Sequence, residues 1–133
     1  MSSSHKDVLF QAAKKAMAKF YAPYSDFPVG AAILSESGNI HSGCNIENAA
    51  YPQSACAEAN AIAHLIMAGD RKILEIAVIA EKQDLITPCG GCRQRLSEFS
   101  TANTLVHLCD ANGVADTVTL GDLLPRAFDG EAL

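Results

Sequence analysis

The chain has 133 residues, 49% of them apolar and 19% charged, with a formal net charge of −5. That length fits a single domain, residues 1–133, around one hydrophobic core, and the composition excludes a disordered tail or a fibrous repeat. No apolar stretch is long enough to span a bilayer, and the ten Lys and Arg are scattered, so neither membrane nor nucleic acid is an expected partner; the expected ligand is small and uncharged or weakly charged.

The first residues, Met1-Ser2-Ser3-Ser4-His5-Lys6, carry no apolar run and no small-residue cleavage site, so the expectation is a cytoplasmic protein. A helix is predicted from near Ser4, with Leu9, Ala12, Ala13, Ala16, Met17 and Phe20 forming one apolar stripe. Two prolines, Pro23 and Pro28, make the next segment a loop. Val29 to Leu34 and Ile40 to Cys44 read as an antiparallel hairpin across the turn Ser37-Gly38-Asn39. Asn45 to Ala55 is polar and irregular, and Cys56 to Ala68 reads as a helix closed by Gly69-Asp70. Ile73 to Ala80 is almost continuously apolar, as a strand covered on both faces should be. A short helix follows from Pro88-Cys89 to about Phe99, then strands at Thr104 to Cys109 and Val114 to Leu120, and a final turn of helix to Leu124. This order predicts a three-layer α/β/α domain around a mixed five-stranded sheet. Each strand after a crossover helix should run parallel to its predecessor.

Five cysteines, an odd number, argue against a disulfide framework. Two motifs draw attention instead: Cys56-Ala57-Glu58 and Pro88-Cys89-Gly90-Gly91-Cys92, with first cysteines 33 positions apart (89 − 56). Each falls at a predicted helix N-terminus, where free N–H groups and the helix dipole favour thiolate over thiol. Three thiolates can hold one zinc ion and leave a fourth position for water, which is the pattern of a catalytic site. Glu58, two residues after Cys56, is placed to move protons at that position without ligating. Cys-x-x-Cys alone is also compatible with a redox pair or half of a zinc ribbon, and Cys-x-Glu alone says little; their order and shared placement make the metal reading specific. Cys44 and Cys109 read as small buried apolar residues, and His41, His64 and His107 as surface or hydrogen-bonded histidines rather than ligands.

Over nearly its whole length the chain resembles the small homotetrameric zinc-dependent cytidine deaminases. The resemblance is carried by Tyr24-Ser25-Asp26-Phe27-Pro28-Val29-Gly30-Ala31-Ala32, by Gly43-Cys44-Asn45-Ile46-Glu47-Asn48-Ala49-Ala50-Tyr51, by the two cysteine motifs, and by Leu123-Leu124-Pro125-Arg126-Ala127-Phe128. It implies one zinc per chain on Cys56, Cys89 and Cys92, with Glu58 taking a proton from the metal's water and passing protons to the ring nitrogen and the leaving amine. It implies that the Ala57 N–H binds the pyrimidine carbonyl, that Asn45 and Glu47 grip the ribose, and that Phe27 packs on the pyrimidine face. It further implies a homotetramer in which a neighbour supplies Tyr51 and Phe128 to each nucleoside pocket, and a place in pyrimidine salvage. One departure stands out: many members carry Arg directly after the Cys-Ala-Glu triplet, where this chain has Ala59. Zinc on three thiolates has a net charge of −1, and the two helix ends and Arg93 are the candidates to offset it. Two rival readings remain at this point: a related deaminase acting on another nucleoside such as blasticidin S, and a non-catalytic zinc-stabilised interaction domain, for which Glu58 would have no use.

Overall fold

The apolar stripe of the first helix dictates where it goes. α1 (Ser2–Met17) buries Leu9, Phe10 and Ala13 against one face of a sheet, on Ala32 and Leu34, Ala77 and Ile79, and Cys109. The stripe was expected to run on to Phe20. The helix instead ends at Met17, and two shorter-range bonds close it, from Lys19 N–H to the Ala16 carbonyl and from Phe20 N–H to that of Met17. Tyr21 is then drawn away into a bridge with Ile46, its N–H on the Asn45 carbonyl at 3.0 Å and its carbonyl on the Glu47 N–H at 2.8 Å. The computed structural model describes residues 2–133.

β1 (Val29–Ser35) and β2 (Ile40–Cys44) form the expected antiparallel hairpin, with Gly38 at φ +86° supplying the turn. β3 (Ile73–Ala80) pairs antiparallel with β1, β4 (Leu105–Asp110) pairs parallel with β3, and β5 (Gly113–Thr119) pairs antiparallel with β4. The mixed five-stranded sheet therefore runs β2-β1-β3-β4-β5. β2 and β3 point the same way, as the crossover argument requires, but β1 lies between them.

Side chains alternate across the strands, and each face has its own cluster. Ala31, Ile33, Ile76, Val78, Val106 and Leu108 point away from α1 and pack against α2 (Ala57–Met67) and α3 (Gly90–Glu98) through Ala61, Leu65 and Leu96. These are the three layers expected from the element order. A last turn, α4 (Leu120–Leu123), is fixed by a capping box between Thr119 and Asp122. The histidines serve the scaffold, as expected. Fully buried His107 bridges Glu75 (2.7 Å) and Thr117 (2.9 Å), and His64 bonds the Ser42 carbonyl at 2.6 Å. His41 meets Asp70 at 2.9 Å, beside the hydroxyls of Ser35 (2.6 Å) and Ser37 (2.8 Å). The Ser35 bond first, then His41 and Ser37, hold the Asp70 carboxyl at about 2 against an ordinary 3.8. This clamp of the α2 end onto the hairpin is thus intact above pH ~4 and is lost only as the pH falls toward 2.

The topology sets the place of the site. β2 and β3 run in the same direction, so their carboxyl ends lie at the same end of the sheet, and the chain enters α2 and α3 from there. Two helix N-termini are thereby brought together on the same face.

Candidate active site

Cys56 caps α2 and Cys89 caps α3; both have extended backbone, and neither makes a side-chain cap hydrogen bond. The first-turn N–H groups of both helices therefore keep their partial positive charge for whatever stands in front of them. What stands there is sulfur. The Sγ atoms of Cys56, Cys89 and Cys92 all lie within 4.8 Å of one another, Cys92 fully buried and the other two exposed. Tetrahedral thiolates at about 2.3 Å from zinc stand about 3.8 Å apart, so little closure is needed to hold the ion. Three soft donors, positive helix ends and no further histidine, cysteine or carboxylate in the cluster among the described residues make a donor set that fits zinc with one open position. The Cys56 thiol falls to about 6, chiefly because Cys92 hydrogen-bonds its sulfur, with Cys89 and Arg95 assisting and burial opposing. The Cys92 thiol is pushed up by that same bond, by burial and by the Glu58 charge.

Glu58 sits in the first turn of α2, only 4% exposed. Burial is the main force raising its carboxyl above the usual range; the Cys56 charge adds to it, and the Cys92 thiol and Arg95 partly oppose it. A carboxyl raised in this way accepts a proton more readily than a free one, which suits a group that takes a proton from water and passes it on.

Asn45, Glu47, Cys56, Ala57, Glu58 and Cys89 line one cavity of about 260 Å³. Val29, Ser54, Ala55, Ile86 and Thr87 complete its wall; the last two lie in a segment with no periodic pattern, so nothing in the sequence pointed to them. A larger groove of about 510 Å³ lies between α1, β2 and α2, but it holds none of the cysteine cluster, and its His64 is committed to Ser42. Chemistry, not volume, selects the smaller cavity.

The remaining expected residues take different places. The Asn45 amide is used by the chain itself, accepting from the Val29 N–H at 3.0 Å and donating to the Phe27 carbonyl at 2.8 Å. Glu47 accepts from the Tyr24 N–H (3.0 Å), the Ser25 N–H (3.1 Å) and the Ser25 hydroxyl, which holds its carboxyl below the usual range. Two carboxylate oxygens offer about four acceptor positions, so about one remains for a ligand hydroxyl. Phe27 is half-buried and is not among the residues lining the cavity. Tyr51 stands edge-on to Tyr24, ring centroids 5.9 Å apart, in a hollow that shares Glu47 and Ser54 with the cavity. Phe128 is 62% exposed and lies away from its own chain's cavity; its carbonyl accepts from the Gln94 amide at 2.9 Å.

Of the two arginines on α3, Arg93 is not the cation at the sulfurs. It bonds the Pro88 carbonyl (2.7 Å), the Leu123 carbonyl (3.0 Å) and the Thr87 hydroxyl (3.1 Å), tying the loop and the C-terminal segment to α3. Arg95, which the sequence reading did not single out, places Nη1 3.9 Å from Cys92 Sγ. Its spacing of three from Cys92, one helical turn, was the available signal.

Residues 3–108 match the family described as the cytidine and deoxycytidylate deaminase zinc-binding region. The chain is 43% identical over 125 residues to a cytidine deaminase of Sporosarcina psychrophila, covering 94% of this chain and 92% of that protein. Its fold is similar to the crystal structure of cytidine deaminase from Burkholderia pseudomallei, with a TM-score of 0.85 at 43% identity over 91% of this chain and 97% of that one. The cytidine deaminase of Mycobacterium tuberculosis gives a TM-score of 0.82 at 37% identity, over 91% and 94% of the two chains.

Proposed function

The chain belongs to the family of cytidine and deoxycytidylate deaminase zinc-binding regions, and from that membership we propose that it hydrolyses cytidine and 2′-deoxycytidine to uridine and 2′-deoxyuridine, releasing ammonia. The observation that carries the reading is buried Glu58 in one cavity with two of the three clustered cysteines and with Asn45 and Glu47. Zinc held by Cys56, Cys89 and Cys92 supplies a Lewis acid that makes water nucleophilic near neutral pH. Glu58 accepts a proton as the water oxygen adds to the amine-bearing ring carbon, and delivers it to the adjacent ring nitrogen. It then carries the second proton to the amine, which leaves as ammonia, so both protons of the water are accounted for. In this reading the Ala57 N–H binds the pyrimidine carbonyl, supported by its position in the first turn of α2 on the cavity wall. Glu47 takes the ribose hydroxyl in its remaining acceptor position, while Asn45 holds the backbone of Phe27 and Val29 beside the ring. Loss of ultraviolet absorbance on adding cytidine to the purified zinc-loaded protein, with one zinc per chain by metal analysis, is the expected result. Unchanged absorbance with the metal bound would leave the interaction-domain reading in its place.

The assembly follows the same reading: a cytoplasmic homotetramer of single-domain chains, acting in pyrimidine salvage, with sites shared between subunits. Its support is aromatic surface that the chain does not cover itself, Tyr51 at 70% and Phe128 at 62% exposure, the latter on a segment that Arg93 and Gln94 fix to α3. Phe128→Ala is expected to weaken nucleoside binding by about tenfold, the scale of taking an aromatic ring out of a pocket wall. Mixing that variant with Glu58→Gln protein after dissociation and reassociation should restore part of the affinity, because some pockets then receive a healthy residue from each chain. No recovery despite proven subunit exchange, or full activity from a monomer in light scattering, counts against shared sites.

A further inference from the structure

We propose that Arg95 is a positioning residue for the metal centre, a cation that acts through Cys92 to hold the three-thiolate charge. This rests on the zinc reading above and extends it to a residue outside both cysteine motifs. Side chains on a helix lean toward its N-terminus, which carries Arg95 back over the first turn of α3. There Nη1 stands 3.9 Å from the buried Cys92 sulfur.

The space it uses is left open by a neighbour. A β-carbon built on Gly91 would come within 3.1 Å of the same Nη1, tighter than ordinary contact. Gly91, the second of the two glycines between the cysteines of the motif, thus keeps room for the guanidinium. Ala59 borders the same surface hollow as Arg95, and its short side chain does not compete for that space. Arg95 makes no ion pair with a carboxylate among the described residues, so its charge is available to sulfur. Arg93 offers no alternative, with its guanidinium spent on two carbonyls and a hydroxyl.

The chemistry follows from charge. Zinc with three thiolates is net negative, and an N–H donor on one sulfur withdraws electron density from it. The thiolate becomes less basic, and the metal keeps more of its Lewis acidity. Removing the guanidinium should make the sulfurs more electron-rich and leave the mutual repulsion of the three thiolates without a nearby cation to offset it, so that the ligand set holds together less well and the bound metal is easier to lose.

The test compares Arg95→Met and Arg95→Lys with the parent protein, using zinc and cobalt(II) as probes. Arg95→Met is expected to lower zinc affinity about tenfold in competition with a chelator, the lower end for loss of a group supporting a ligand. It should also move the thiolate-to-cobalt charge-transfer band to longer wavelength. Arg95→Lys, which keeps the charge, should hold the band nearer its parent position. The melting temperature of the metal-free protein should be unchanged by either substitution, since Arg95 is exposed. Parent-like affinity and an unshifted band in Arg95→Met, with the parent binding one zinc, would overturn the role of Arg95 alone. A parent protein that takes up neither metal through its cysteines would overturn the zinc reading and this proposal together.

Discussion

Glu58→Gln is expected to leave zinc in place and to lower turnover by at least about a hundredfold, the lower range for a lost acid–base group. The amide keeps the volume of the carboxylate, and the position is 4% exposed in the first turn of α2, so shape and packing are preserved. No ligand changes, because the metal is assigned to sulfur alone. What disappears is the capacity to take a proton from the attacking water and give protons to the ring nitrogen and the amine. Burial, the main cause of the raised Glu58 carboxyl, also means that bulk water is poorly placed to substitute for it. Metal analysis and steady-state kinetics on the same preparation separate the two halves of the claim. Near-normal turnover with zinc retained would remove Glu58 from its role, whereas loss of zinc would show that the carboxylate had been holding the ligand set.

The centre was legible because its information is local. Cys89 and Cys92 share the start of one helix by spacing alone, and Glu58 follows Cys56 within a single turn. β2 and β3 have the bounds expected from their residue patterns, since strand length and polarity are also local properties. The insertion of β1 between those two strands was not legible, because no pattern within a strand states which edge its neighbour takes. Arg95 was missed for a related reason. Its distance to Cys92 depends on how the side chain folds back over Gly91, and Arg93, the arginine that the sequence pointed to, is committed to Pro88, Leu123 and Thr87. Asn45 shows a subtler limit. The family resemblance implied a sugar contact for it, and it does line the cavity, yet both ends of its amide are bound to backbone. In this structure it shapes the cavity wall by holding the backbone of Phe27 and Val29.

A glycine outside both metal motifs should matter more to the zinc than one inside them. Gly43 lies on β2, 13 positions before Cys56 (56 − 43), where α2 crosses the strand almost in backbone contact. A β-carbon there would stand 2.5 Å from the Ala61 nitrogen and 2.7 Å from the Ala57 oxygen. Both are backbone atoms of the helix that carries Glu58 and is capped by Cys56, so relief requires α2 itself to move. Gly90, by contrast, directly follows Cys89, and a β-carbon at that position meets nothing within 4 Å. Alanine is also the better helix former there. Gly43→Val is therefore expected to destabilise the fold by about 3 kcal/mol, the upper end for overpacking a filled core. Displacement of Cys56 from the other two sulfurs should add a loss of zinc affinity and at least about a hundredfold loss of activity, since misplacement by about 1 Å costs that much. Gly90→Ala should keep the parent's melting temperature and zinc content. Thermal unfolding and metal analysis of the two variants decide the matter: a Gly43→Val protein with parent stability and full zinc, or a Gly90→Ala protein that loses both, would show that the approach of α2 to β2 does not hold the metal centre in register.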